Sequence, residues 1–226
     1  MYCPFTHCLT LILPSFTYRH NVCLVIFNNF IESIVDTLVN DIITVQKKGI
    51  RRKMKLIRNN MLIDDVNYCS SVISDSLFNI LDDTHDKYFI YSDFNNEVKT
   101  NDIIMNLLNK NKKVYLPKIV EEDMNAINYT KDSLLNKNEY GIYEPVGEHI
   151  NIDDFVCVMP LLAIDVKGNR IGFGKGYYDK FLKGKNCLKI GICYDYQILD
   201  TIPNNEHDIG IDIIISEKRV IDLRNA

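Results

Sequence analysis

Tryptophan is absent from the 226 residues, and no two of the seven cysteines stand in a CxxC spacing. The missing tryptophan, beside abundant asparagine and lysine, fits a compositional bias of the source genome and points to no function. Cys3, Cys8, Cys23, Cys69, Cys157, Cys187 and Cys193 are odd in number and scattered, so they lack the pairing a zinc site needs and read as reduced thiols of a cytosolic-type compartment. No acidic residue precedes Glu32, yet no long apolar run is present either. The stretches Leu9–Leu13 and Val22–Phe27 are short and interrupted by Pro14, Arg19, His20, Asn28 and Asn29, whereas a membrane span needs about 20 apolar residues. The first 45 residues therefore read as an extension: a segment for organellar targeting, a docking helix over Asn29–Asn40, or an imperfect gene model. A general excess of positive charge is lacking too. The formal charge of −4 and the pI near 5.7 argue against a general nucleic-acid binder, so any polyanion contact is local.

With 46% apolar residues the chain can bury a real core, and one globular domain from residue 46 to 226 is the default reading. From Gln46 a helical period sets in. Ile50, Met54, Ile57 and Met61 form an apolar stripe, with Lys47, Arg51, Lys55 and Arg58 on a neighbouring face. Asp64 and Asp65 are placed to cap a second helix through Val66, Ile73, Leu77 and Ile80. Tyr88–Tyr91 reads as a buried strand, Thr100 as the cap of a helix through Ile103 and Leu107, and Lys113–Pro117 as the next strand, which predicts a parallel crossover. Ala126–Tyr129 reads as an added antiparallel strand, Gly141–Gly147 as a loop, and Phe155–Pro160, Leu188–Cys193 and Ile211–Ser216 as strands. This alternation predicts an α/β layered domain without repeats or low-complexity linkers.

Candidate chemistry gathers after the strand at Phe155. A turn at Lys167, Gly168 and Asn169 precedes Arg170 and the run Gly172, Phe173, Gly174, Lys175, Gly176, with a helix expected to begin there and to hold Tyr177 and Tyr178. Exposed N–H groups of such a run, with Lys175 and Arg170 beside them, suit an anion. The run is neither the dinucleotide fingerprint nor the Walker pattern, and alone it is equally a structural turn. Asp179 and Asp208 are carboxylates of the kind that hold magnesium, if they meet; apart, Asp179 is a helix-end charge and Asp208 a solvated turn residue. His207 reads as solvent-facing. The basic helix is a triphosphate clamp or a solvated face, and Glu97 lies where loops at strand ends line ligand crevices.

The stretch Met159–Leu182, with Pro160, Leu161, Asp165, Gly168, Arg170, Gly172, Gly174, Lys175, Gly176, Tyr177, Tyr178 and Asp179, closely resembles the signature of 5-formyltetrahydrofolate cyclo-ligases. Lys47 and Arg51, Glu97–Thr100, Leu116–Lys118, Gly141–Pro145, and Gln197 followed by Glu206, His207 and Asp208 resemble the family's remaining pieces in order, over about residues 46–220. The resemblance implies a three-layer α/β/α fold with a mostly parallel central sheet, of the sugar-phosphate isomerase and CoA-transferase-like group. It implies ATP contacts at Lys47, Arg51, Arg170, Gly172, Gly174, Lys175, Gly176, Tyr177 and Tyr178, with Lys175 and Arg170 catalytic. Folate contacts fall at Ser92, Glu97, Gly174, Lys175 and Tyr177, and magnesium at Asp179 and Asp208. The implied partners are ATP and 5-formyltetrahydrofolate, with or without a polyglutamate tail, for a cytoplasmic monomer that needs neither nucleic acid nor membrane. The implied chemistry is attack of the formyl oxygen on the γ-phosphate of ATP, then attack of folate nitrogen 10 on the imidoyl phosphate, releasing phosphate as the ring closes.

The sequence departs from the family at Phe173, where some members carry arginine, at Tyr143, where proline is common, and throughout residues 1–45. Two other readings compete: an isomerase or transferase of the same fold group that uses no ATP, and a nucleotide- or RNA-binding relative that turns nothing over.

Overall fold

The computed structural model describes residues 13–81, 84–205 and 208–224, with residues 13–30 and residue 32 described by backbone alone. The chain divides into two compact units, Met1–Val45 and Gln46–Ala226. In the first, the described residues belong to helix α1 (Leu13–Asn59), which is longer at both ends than the helix expected over Asn29–Asn40. Ile31, Ile34, Val35, Leu38 and Ile42 are exposed on it. Among the described residues no helix is long and apolar enough to cross a membrane; residues 9–12, part of one apolar run noted above, lie outside them.

In the second unit, the end of α1 is followed by α2 (Ile63–Ile80), β1 (Lys87–Ile90), α3 (Asn101–Asn109), β2 (Lys113–Val120) and β3 (Asp123–Tyr129). Next come β4 (Leu135–Lys137), β5 (Tyr143–Pro145), β6 (Phe155–Met159), β7 (Ala163–Asp165), β8 (Arg170–Ile171) and α4 (Tyr177–Leu182). The chain closes with β9 (Cys187–Ile192), β10 (Ile198–Leu199), β11 (Ile213–Ile215) and β12 (Val220–Asp222). Seven strands form one sheet in the order β12-β11-β9-β6-β1-β2-β3, parallel from β11 to β2 and antiparallel at both edges.

The parallel strands Phe155–Met159 and Ile213–Ile215 are unbroken apolar runs because both faces are covered. Tyr88 and Ile90 point to a core shared with Ile73 and Leu77 of α2 and Ile103 and Leu107 of α3. Phe89, between them, points the other way, into a core with Phe155, Cys157 and Phe181, and its ring stacks on Phe181 at 4.6 Å. That second layer holds a helix, as the α/β/α reading expects, together with further strands. It combines the short α4 with a three-stranded sheet, β10-β7-β8, because the Lys167–Asn169 turn folds the chain back into a hairpin. Three further readings need correction. Gly141–Gly147 holds β5, paired with β4, in a hairpin whose turn is built by Asn138 Oδ1 accepting the Tyr140 and Ile142 N–H groups at 3.0 Å. Thr100 stands at the N-cap of α3, but its hydroxyl donates to Tyr91 O at 2.8 Å, and Asp64 and Asp65 lie in the first turn of α2 rather than capping it.

The β7–β8 turn carries the glycine run, so its rigidity matters. Asp165 is wholly buried, and its carboxylate accepts from the N–H groups of Lys167 and Asn169 at 3.0 Å, the Asn169 amide at 2.8 Å and the Ile202 N–H at 3.3 Å. Gly168 sits at φ +85°, where a Cβ would meet Ile211 O at 2.6 Å. Asp165→Ala strands these buried donors and should cost about 3 kcal/mol in urea unfolding; a loss indistinguishable from zero would show that the turn holds without the carboxylate.

Candidate active site

The site begins with the face that α1 turns inward. Ile50 and Met54 pack with Leu162, Ala163, Ile171 and Ile202, which seats this end of the helix on the β7–β8 hairpin. The apolar stripe is narrower than its period suggested, since Ile57 is 38% exposed. The basic residues, spaced four, four and three apart on one helix face, run along the glycine loop, with Lys47 and Arg58 buried, Arg51 half-buried and Lys55 exposed. Lys47 and Arg58 are 6% and 2% exposed. The Lys47 ammonium pairs with Asp208. Arg51 Nε donates to Gly172 O at 2.9 Å, and Gly174, at φ +99°, admits the same guanidinium so closely that a Cβ would lie 3.2 Å from it. Lys55 Nζ and Arg58 Cζ stand 5.1 and 5.3 Å from the centroid of the exposed Phe173 ring, within cation–π range.

At the far end of the loop Gly176 takes φ +69° as the N-cap of α4, and Asp179 follows in its first turn. Because α4 has six residues, anion attraction rests on the loop N–H groups and the cations rather than on a helix dipole. Asp179 Oδ1 accepts from Arg170 Nη2 at 3.1 Å and from the Ile209 N–H at 3.2 Å. Ile209 follows Asp208, whose own carboxylate accepts the Asn205 N–H at 2.8 Å, so the two carboxylates, 29 positions apart in sequence, meet at one loop. Each is already matched to a cation. Among the described residues no three His, Cys, Asp or Glu side chains gather; Glu206 and His207 lie outside them. Arg170 is 7% exposed and lies 5.6 Å from the Tyr178 ring centroid; its Nε and the Tyr178 hydroxyl are buried without a hydrogen-bond partner among the described residues. Burial pushes the Tyr178 phenol well up. Tyr177 is half-buried and Lys175 exposed at the loop's tip.

On the other side of the loop, Ser92 follows β1 and is half-buried, and Glu97 is 7% exposed. One Glu97 oxygen accepts from Arg58 Nη1 at 3.2 Å and the other from the Phe94 N–H at 3.0 Å. Burial outweighs both donors and pushes this carboxyl from its ordinary 4.5 up to about 7. Asn96, at φ +57°, donates from its side chain to Arg58 O at 3.2 Å and Met61 O at 3.3 Å, which terminates α1, while the Tyr194 hydroxyl donates to Asn96 O at 3.0 Å. Arg58 is the residue that sequence reasoning left on a basic face without a partner. Nothing in its spacing sets it apart from Lys55. Gln197 is structural in its contacts: Nε2 donates to Leu161 O and Leu162 O at 3.0 and 3.1 Å and fixes the chain leaving β6.

The model of the 5-formyltetrahydrofolate cyclo-ligase family matches residues 43–217. The chain belongs to that family. A cyclo-ligase of Mycoplasma genitalium is 34% identical over 178 residues, spanning 76% of this chain and 98% of that one. A cyclo-ligase of Haemophilus influenzae is 27% identical over 184 residues, with the same shares. The solved 5,10-methenyltetrahydrofolate synthetase of Aquifex aeolicus superposes with a TM-score of 0.72 at 31% identity, covering 80% of this chain and 94% of that one. The family match takes in every side chain described in this site.

Within this cyclo-ligase, Glu97 binds its proton more tightly folded than unfolded. Its contribution to stability is full below about pH 4.5 and is lost as pH rises to about 7. Thermal melts of Glu97→Gln and wild type should therefore converge in the variant's favour across that window. A pH-independent difference would place Glu97 in a more solvated setting than the structure gives it.

Proposed function

We propose that the chain closes 5-formyltetrahydrofolate to 5,10-methenyltetrahydrofolate at the expense of ATP, with ADP and phosphate as co-products. The observation that supports it beyond the family match is the convergence on one glycine run of Arg51, Arg170 and Lys175, with the carboxylates Asp179 and Asp208 at its end. Phosphoryl transfer needs positioning and charge neutralisation more than covalent help from the protein. The N–H groups of the run, with Lys47, Arg51, Arg170 and Lys175, bind and orient the triphosphate; Gly172, Gly174 and Gly176 let it approach the backbone, and Tyr177 and Tyr178 wall the loop. Ser92, Glu97, Gly174, Lys175 and Tyr177 face the folate.

The donor set of Asp179 and Asp208 is all oxygen, which suits magnesium, a cation that takes one or two carboxylates and completes its shell with phosphate oxygens and water. When bound, magnesium supplies positive charge to the transferring phosphoryl group. Lys47 and Arg170, now paired with those carboxylates, are then free to turn to phosphate. The formyl oxygen takes the γ-phosphoryl group, ADP leaves, and folate nitrogen 10 attacks the activated carbon and expels phosphate. The surrounding side chains exclude water from that intermediate. The ATP-free isomerase or transferase and the non-catalytic binder are disfavoured by relatives that carry the ligase name along nearly their full length. The unpaired thiols of Cys69, Cys157, Cys187 and Cys193 accord with a reducing, cytoplasmic setting.

Absorbance of the methenyl product is expected in a mixture of protein, 5-formyltetrahydrofolate, ATP and magnesium, and in no mixture lacking one of them. Product without ATP would point to the isomerase or transferase class, and tight binding without product to a binding relative. Lys175→Ala should lower kcat/KM by about a hundredfold or more with the fold intact, and Asp179→Asn should raise the magnesium requirement at least about tenfold. Residues 1–45 precede nearly all of the family match, so a chain starting at Gln46 should fold and turn over at the full-length rate. An insoluble product would assign those residues to the core.

A further inference from the structure

Arg58 is 2% exposed, stands just before the last residue of α1, and is the most deeply buried cation of that helix among the described residues. Three contacts fix it. Its Nη1 donates to Glu97, its backbone carbonyl accepts the Asn96 amide, and its guanidinium lies against the Phe173 ring of the glycine loop. Nε remains buried without a hydrogen-bond partner among the described residues. A desolvated guanidinium with an unused donor costs several kcal/mol unless its charge is answered, and Glu97 is the carboxylate that answers it. The converse also holds: Glu97, at 7% exposure, pairs with one cation among the described residues.

We propose that Arg58 is a positioning residue that holds the Glu97 carboxylate ionised and aimed at the folate, under cover of the Phe173 ring. The proposal rests on the reading of Glu97 as a folate contact. An ionised carboxylate offers acceptors alone, which suits the N–H donors of a pterin; once protonated it presents a donor in their place. The other titratable groups facing Glu97 are Asp93 in its own loop, Tyr91 just after β1 and Tyr178 of α4. Asp93 and the two phenols either oppose ionisation or stay neutral, and Asp93 is itself paired with Lys99. Arg58 is thus the charged group that favours the anion, beside the uncharged Phe94 N–H.

The test measures binding of 5-formyltetrahydrofolate without ATP, from pH 6 to 9, for full-length wild type, Arg58→Met, Arg58→Lys, Glu97→Gln and the double variant Arg58→Met/Glu97→Gln. Removing Arg58 should weaken binding at neutral pH by about tenfold or more and move the midpoint of the pH dependence up by at least about one unit, with recovery at high pH. Arg58→Lys should restore much of the wild-type profile, and the double variant should bind no worse than Glu97→Gln alone. A defective Glu97→Gln beside an Arg58→Met profile unmoved from wild type would overturn the proposal and leave the folate reading of Glu97 standing. Normal binding by Glu97→Gln would remove that reading and the proposal with it. Should Arg58→Met fail to fold, the double variant, which buries no lone charge, and Arg58→Lys decide the matter through additivity and the pH midpoint.

Discussion

A charge removed from water must find a counter-charge, and that constraint fixes how the cyclo-ligase unit is assembled. Lys47 and Arg58 lie eleven residues apart on one face of α1, and both are buried. Each meets a carboxylate from a different part of the chain, Asp208 before β11 and Glu97 after β1. With both ends of that face pinned, the helix has one azimuth against the hairpin, and Arg51 between them falls onto the glycine loop. Apolar packing by Ile50 and Met54 supplies the attraction but little direction. The ion pairs supply direction, because a rotation of the helix would leave cations buried alone, at several kcal/mol each.

The parallel sheet decides which loops can meet this helix. The strands β1, β6 and β9 are neighbours in the order β9-β6-β1, so the chain leaving each of them emerges side by side at one edge. From β1 comes the loop with Ser92 and Glu97. From β6 comes the segment that Gln197 fastens at Leu161 and Leu162 and that leads into the β7–β8 hairpin. After β9 comes Tyr194, whose hydroxyl reaches Asn96 O and ties the third loop to the first. The glycine run is thus held by a hairpin anchored on the buried Asp165, while the Glu97 loop is held by the end of α1 and by Tyr194.

What could be read from the sequence follows from the physics of each signal. Strands buried on both faces, such as Phe155–Met159, announce themselves as apolar runs, and the glycine run with its following helix does so through spacing. The β4–β5 hairpin and β12 are exposed or edge strands of three residues, too short to show alternation, and their pairing comes from turn side chains such as Asn138. The small sheet beside α4 was hidden for a related reason: Arg170–Ile171 is a two-residue strand made by the turn before it. In the site, residue types were legible and meetings were not. Asp179 and Asp208 converge through a backbone contact at Ile209, and Arg58 finds Glu97 across 39 positions; neither meeting leaves a local period.

The pairing of every buried cation with a carboxylate bears on how a polyanion would enter. Lys47–Asp208 and Arg170–Asp179 hold opposite charges that the proposed ligand also brings, phosphate for the cations and magnesium for the carboxylates. Under that proposal, entry of the two together would exchange partners and leave no charge alone, whereas a phosphate by itself would displace a carboxylate and leave it beside the incoming anion. Like charges at that separation repel strongly in a partly dry site. On the proposed reading the arrangement would discriminate against metal-free nucleotide through repulsion from Asp179 and Asp208, independently of any contact the nucleotide gains. Glu97 stands outside this exchange because its partner, Arg58, is covered by Phe173 and kept apart from the phosphate-facing cations. On the proposed reading, the Glu97 side of the site would keep its charge state while the glycine-loop side changes its own.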